Sequence, residues 1–221
     1  NGNAKLTDEK VREIRRHAGA MKGIMLDFGC GSKPYRELFT IDKYIGLDVV
    51  ESGHDHVGES IDVFYDGKRI PFENGFFDSV FSSEVFEHVF NLDEILIEVN
   101  RVLKSGGMIL ITVPFIWEEH EAPYDFARYT SFGIKHLLEK HGFELVQLVK
   151  STNDVETVFQ MWINYLVRHV LPRTPILQTL FILLLVFPLN LMGMALSAIL
   201  PKNFDFYHNN IAVARKSLSA S

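Results

Sequence analysis

The chain has 221 residues, 47% of them hydrophobic, which is enough for one α/β domain with a full core and an elaboration but cramped for two complete domains. Its formal net charge of −6, with no run of Lys and Arg interleaved with aromatics, argues against a phosphate backbone as partner, so no nucleic acid is expected. The single cysteine, Cys30, excludes an intramolecular disulfide, and no Cys/His cluster stands at zinc-ligand spacing; both fit a reducing cytoplasm, and no metal is expected.

In chain order, Thr7 to Ala18 reads as a helix, with Thr7 as cap, acidic residues first and Arg15, Arg16 and His17 at its end, as a helix dipole prefers. The polar and charged N-terminal residues lack the apolar run of a signal peptide, which again points to the cytoplasm. Ile24 to Phe28 is a short apolar run ending in glycines, the form of a buried parallel strand, and Tyr44 to Val49, Ile61 to Tyr65, Phe77 to Ser82 and Met108 to Pro114 repeat it. A helix is expected over Leu92 to Lys104, ended by Ser105-Gly106-Gly107, and another from Thr130 or Ser131 to Gly142, before a sixth strand at Phe143 to Val149. This alternation predicts an α/β, Rossmann-like parallel sheet with helices on both faces and ligands at the carboxyl ends of its strands.

A strand running into Gly29-Cys30-Gly31 lets the backbone turn tightly and approach a ligand, with the free N–H groups of a following helix beside it. Asp48, ending the second strand, is placed to accept from ribose hydroxyls. The segment Leu26-Asp27-Phe28-Gly29-Cys30-Gly31-Ser32-Lys33-Pro34-Tyr35 resembles the first motif of the class I S-adenosylmethionine-dependent methyltransferases, of the methyltransferase type 11 kind. Ile70-Pro71-Phe72 with Gly75 to Val80, Ser83 to Val89, and Arg101 to Gly107 are similar to later motifs of that family, in the same order. The resemblance implies S-adenosylmethionine as cofactor. It makes Asp27 and the Gly29, Cys30 and Gly31 backbone neighbours of the amino-acid end, Asp48 the ribose ligand, Asp66 with Gly67 the adenine contact, and Glu84 part of the floor near the methyl group. Asp62 is a rival to Asp66. A nicotinamide dinucleotide fits less well, because the third glycine of its fingerprint would fall at Pro34.

Methyl transfer is an in-line displacement that positioning alone can largely catalyse, and only some acceptors need a base. The loop after the fifth strand carries Trp117, His120, Asp125, Arg128 and Tyr129, with His120 as candidate general base and Asp125 and Arg128 read as an i, i+3 ion pair that organises the loop. His88 is read as structural.

Ile211 to Arg215 has strand character, and in the family it would be the seventh strand, antiparallel beside the sixth and inserted next to the fifth. The whole chain, 1–221, is then a single methyltransferase domain, with 152–208 a helical apolar insertion before the last strand. Within it Thr174 to Pro201 carries no charge, and Pro188 is expected to divide that run into two pieces, each too short to cross a ~30 Å hydrocarbon core. A peripheral membrane contact or a homodimer through 155–200 is expected, with a small-molecule or lipid-linked acceptor methylated at oxygen or nitrogen. The alternative is a catalytically silent cofactor-binding scaffold that uses the apolar insertion to bind a partner.

Overall fold

The computed structural model describes residues 8–50 and 60–218, with the side chains of Asp8 and Glu9 excepted; the expected cap Thr7 lies outside them. Helix α1 (Asp8–Ala18) precedes strands β1 (Ile24–Phe28), β2 (Lys43–Val49), β3 (Val63–Tyr65) and β4 (Phe77–Ser83). Helix α2 (Leu92–Val102), strand β5 (Leu103–Pro114), helix α3 (Ser131–Lys140) and strands β6 (Phe143–Lys150) and β7 (Asn209–Lys216) complete the sheet unit. The seven strands lie in the order β3-β2-β1-β4-β5-β7-β6, and β7 pairs antiparallel with β5. The chain winds outward from β1 to β3 and then restarts at β4 on β1's other side, so the carboxyl ends of β1 and β4 form a topological switch point.

Strand residues alternate between two cores. Leu26, Phe28, Ile45, Leu47, Val80, Ile109 and Ile111 pack beneath α2 and α3, while Met25, Phe81, Leu110, Ile211 and Val213 face α1 and the rings of Tyr35 and Phe39. The helix expected after Gly31 does not form: only a three-residue 3-10 turn, Arg36–Leu38, lies there. The short span from Pro34 to the start of β2 covers its share of the sheet with Tyr35 set edge-on and Phe39 tilted against Phe81, at ring centroids 5.5 and 4.8 Å, rather than with a helix.

The helix expected through Lys104 stops at Val102, because Leu103 turns extended and pairs with Phe77 before Gly106, at φ 76°, redirects the strand. The Lys216 ammonium donates to the carbonyls of Asn100 (2.6 Å) and Leu103 (2.8 Å), a cation at the helix's carbonyl end. Arg101, in a stretch singled out as a family motif, ties α2 to the loop before β4. Its guanidinium donates to Glu98 and to Ile70 O, Phe72 O and Asn74 Oδ1, the last three at 2.8–2.9 Å. Arg101→Ala leaves those acceptors without their donor and is expected to cost about 2–3 kcal/mol. Urea denaturation should show the midpoint falling with an unchanged slope, and an unmoved midpoint would reject the tie.

The chain divides into two compact units, the sheet unit and residues 150–208. In the second unit, α4 (Asp154–Tyr165) begins with a capping box in which Asn153 Oδ1 accepts from Glu156 N and Asn153 N donates to Glu156 Oε2. Asn153 Nδ2 and Glu156 Oε1 both bond Ser197 Oγ, at 2.8 and 2.7 Å, and Gly193 lies so close to Phe159 that a Cβ there would stand 2.8 Å from the ring. These contacts pin α4 against one continuous helix, Pro175–Ile199, of 25 residues. Pro188 does not divide it. Proline lacks an N–H and crowds the carbonyl four residues back, and the widened π-helical turn Ile182–Val186 directly before it absorbs both defects.

Candidate active site

At the switch point a cleft of about 280 Å³ opens, lined by Asp27 to Ser32, Asp48 and Val49 on one side and by Ser83 to Val85, His88 and Glu121 on the other. Gly29 stands at φ 72° and Gly31 at φ 45°. A Cβ on Gly29 would meet Val85 Cγ2 at 2.3 Å, so glycine there permits both the turn and the close approach of the β4 side. Gly31 N donates to Asp48 Oδ2 at 2.8 Å, and Val49 N donates to Asp48 Oδ1, so the carboxylate is fixed at the end of β2. Asp27 is buried in β1 and accepts from the Tyr44 hydroxyl. Burial pushes its carboxyl up to about 7 even though the Tyr44 bond works the other way, and nearby Asp48 adds to the rise.

Three non-glycine residues among those described hold left-handed backbone: Lys33, Glu84 and Glu121. Glu84 and Glu121 line the cleft and Lys33 sits in its glycine turn; such strain concentrates where function over-determines the backbone. Glu84 Oε1 accepts from the Thr112 hydroxyl at 2.8 Å, and Lys10 of α1 approaches Oε2 at 3.6 Å. Burial opposes the Lys10 charge, but Glu84, with Tyr35 and Glu87, outweighs it and holds the ammonium above its ordinary value.

Behind His88 the loop after β5 folds as a clamp. Arg128 grips Asp125 through two bonds of 2.5 and 2.7 Å and also donates to Glu118 O. That guanidinium draws the Asp125 carboxyl down to about 2. Asp125 in turn accepts from His120 N at 2.9 Å. His120 Nε2 points at His88 Nε2, 3.1 Å away, rather than into the cleft. Glu87 beneath them is fully buried, and burial, with Glu84 nearby, pushes its carboxyl well above the ordinary value.

Residues 26–111 match the family model described as a methyltransferase domain. The fold, with its antiparallel β7 between β5 and β6, has counterparts among solved structures. Over residues 26–111 the chain resembles a class I S-adenosylmethionine-dependent methyltransferase domain. It is 38% identical over 64 residues to a sarcosine/dimethylglycine N-methyltransferase of Halorhodospira halochloris, a match that covers 29% of this chain and only 22% of that relative's length. Among structures, the 4+2 cyclase SpnF aligns with a TM-score of 0.60 and 17% identity, over 99% of this chain and 85% of its own. Phosphoethanolamine N-methyltransferase 2 of Haemonchus contortus, solved with S-adenosylmethionine, aligns with a TM-score of 0.54 and 21% identity, over 94% of this chain and 52% of its own. At these identities the structural likenesses establish the fold.

The cleft gathers Asp27, Gly29, Cys30, Gly31, Asp48 and Glu84. The Gly29 cradle, which a side chain would fill, and the two fixed carboxylates fit a cofactor with ribose hydroxyls and the α-ammonium of an amino-acid end. Asp66 and Gly67 are not among the lining residues: the exposed Asp66 carboxylate is turned onto Lys68 N and Arg69 N, and Val49 and Tyr65 stand at that edge instead. The rival Asp62 is likewise engaged, by Gly46 N and Lys33 Nζ. His120, the expected base, stands one step back from the lining, and His88, read as structural, is the histidine that reaches it. Glu87, His88 and His120 converge although 32 residues separate the two histidines in sequence, so no local spacing announces the cluster.

Proposed function

We propose that the chain transfers a methyl group from S-adenosylmethionine to a small-molecule or lipid-linked acceptor, at oxygen or nitrogen. The observation that carries this reading is the Gly29 to Gly31 turn bonded to Asp48 beside the switch point, in a cleft walled by Glu84 and His88. Bound there, the cofactor would supply a methyl group on a sulfonium, a leaving group good enough for positioning to do most of the work. Asp48 would hold the ribose hydroxyls, Asp27 with the glycine backbone the amino-acid end, and Glu84 the floor. His120 is not carried forward as the base, because its Nε2 is directed at His88. The named activities of the relatives, on sarcosine, dimethylglycine and phosphoethanolamine, favour nitrogen. Incubation with methyl-labelled cofactor and separate panels of small amines, alcohols and lipid extracts tests this. Label is expected in one panel, whereas saturable cofactor binding with no transfer would favour the silent scaffold.

We further propose that the helix Pro175–Ile199 rests on a membrane surface, which supports a lipid-linked acceptor. Its best 18-residue stretch has a mean hydropathy of 2.2, with 11% of it buried. Ile182, Leu183, Leu184 and Leu185, which as consecutive residues are spread around the helix, are all exposed, so one protein surface would leave much of the helix wet. A single crossing is ruled out because β6 and β7, which flank residues 150–208, are neighbours in one sheet. The helix would therefore lie in the interface. Flotation with anionic liposomes is expected to carry the chain upward; full recovery below as a stable dimer would end this part of the proposal.

A further inference from the structure

We infer that Glu87, His88 and His120 form a binding site for one divalent transition-metal ion at the wall of the cleft, with a Glu87 carboxylate oxygen and the two histidine Nε2 atoms as ligands. The three ligand atoms lie within 4.8 Å of one another, His88 Nε2 standing 3.1 Å from His120 Nε2 and 3.8 Å from Glu87 Oε1. This inference is independent of methyl transfer and of the acceptor.

The hydrogen bonds fix what the facing nitrogens are. His88 Nδ1 lies 2.7 Å from Tyr124 O, and a carbonyl only accepts, so that nitrogen carries the hydrogen. His120 Nδ1 lies 3.2 Å from Glu118 O and 3.3 Å from an Asp125 oxygen, both acceptors, so it too carries its hydrogen. In the neutral rings both Nε2 atoms then carry bare lone pairs, 3.1 Å apart, with the two rings edge-on to each other at 84°. That arrangement is repulsive unless a positive charge sits between them. Around it are carboxylates: Glu121 Oε2 is 3.8 Å from His88 Nε2, and Glu87 is fully buried with neither oxygen hydrogen-bonded among the described residues. A buried carboxyl with no hydrogen bond is costly, and a shared cation would satisfy it and both histidines at once.

The surroundings are those that orient metal ligands. Each imidazole is held through its outer nitrogen by a carbonyl, and His120 also by a carboxylate that Arg128 locks in place. Ligand atoms ~2.0–2.1 Å from a tetrahedral ion stand roughly 3.3 Å apart, so the two nitrogens are nearly in place and Glu87 needs to swing inward by about 1 Å. Two imidazoles and one carboxylate suit zinc, cobalt or iron rather than magnesium or calcium. His88 and Glu121 line the cleft, so the remaining coordination position would open toward it.

The whole chain, stripped with chelator, free of any affinity tag and dialysed against Zn²⁺, is expected to retain one ion per chain by elemental analysis. His88→Gln and His120→Gln should each weaken binding by ~10–100-fold or more, with the circular dichroism unchanged. Should a variant fail to fold, Co²⁺ titration of the parent chain decides: an intense four- or five-coordinate visible spectrum with two paramagnetically shifted imidazole N–H signals supports the site. The weak spectrum of hexaaquo cobalt overturns it. Failure to retain Zn²⁺, which would mean a shared proton alone joins the histidines, or undiminished binding by the double variant, would overturn it as well.

Discussion

Gly29→Ala is expected to weaken S-adenosylmethionine binding roughly 100-fold by calorimetry while the chain still folds, since two costs of ~1–3 kcal/mol each, at ~1.4 kcal/mol per tenfold, fall on one turn. The first cost is conformational. At φ 72° a Cβ crowds its own carbonyl, a strain that only glycine escapes. The second is steric, because the new methyl would stand 2.3 Å from Val85 Cγ2 and 2.6 Å from Cγ1. Either Val85 retreats or the turn moves, and the turn carries the Gly31 N–H bond to Asp48 and the bonds of Gly29 and Cys30 to Leu47 O. The sheet beneath is fully packed on both faces, so the damage stays at the cleft. Adding Val85→Ala removes both offending methyls and leaves the backbone strain and a 3.0 Å approach to the Cβ of residue 85. The double variant is expected to recover about half of the loss on a logarithmic scale. Binding by Gly29→Ala within threefold of the parent would show that the turn does not cradle the cofactor.

That turn was legible because it is local: a five-residue apolar strand, two glycines and an acid at the next strand's end are all visible along the chain. Strands β1, β2 and β4 appear within one residue of expectation for the same reason, since strands buried on both faces are rich in apolar residues over a short local stretch. What escaped is what tertiary contact decides. The segment after Gly31 offered Arg36 to Leu38 as helix formers, but the demand of Phe81 for aromatic neighbours drew Tyr35 and Phe39 into the core and left no length for a helix. Leu103 is helical by pattern and a strand residue by pairing with Phe77.

Pro188 misled through a rule that holds for a regular α-helical ladder. A π-helical turn one residue earlier changes the ladder, and nothing in Ile182 to Val186 distinguishes such a turn from plain helix. The cluster of Glu87, His88 and His120 was hidden for the simplest reason: two loops at the carboxyl ends of neighbouring strands β4 and β5 bring it together, and the sequence records only their separation.

The second large effect concerns pH, and its sign is the reverse of that for an ion-paired aspartate. Asp27 carries a folded-state value of about 7, pushed up by burial, against ~3.9 in an unfolded chain. Between those values the native state holds a proton that the unfolded chain has released. Its contribution to stability is therefore fully present below about pH 4 and is lost as pH rises to about 7, a total of up to ~4 kcal/mol. Asp27→Asn keeps an acceptor for the Tyr44 hydroxyl and removes the titration, so the variant is expected to gain stability relative to the parent at pH 7 and to show no such slope. Cofactor binding should run the other way. If Asp27 faces the α-ammonium of the amino-acid end, only its ionised form attracts the ligand, and S-adenosylmethionine affinity should climb by up to about tenfold per pH unit below 7, with a proton released on binding. Calorimetry in buffers of different ionisation enthalpy counts that proton directly. Asp27→Asn should bind weakly at every pH and release none; a variant that binds as tightly as the parent and keeps the parent's pH slope would remove Asp27 from the cofactor site.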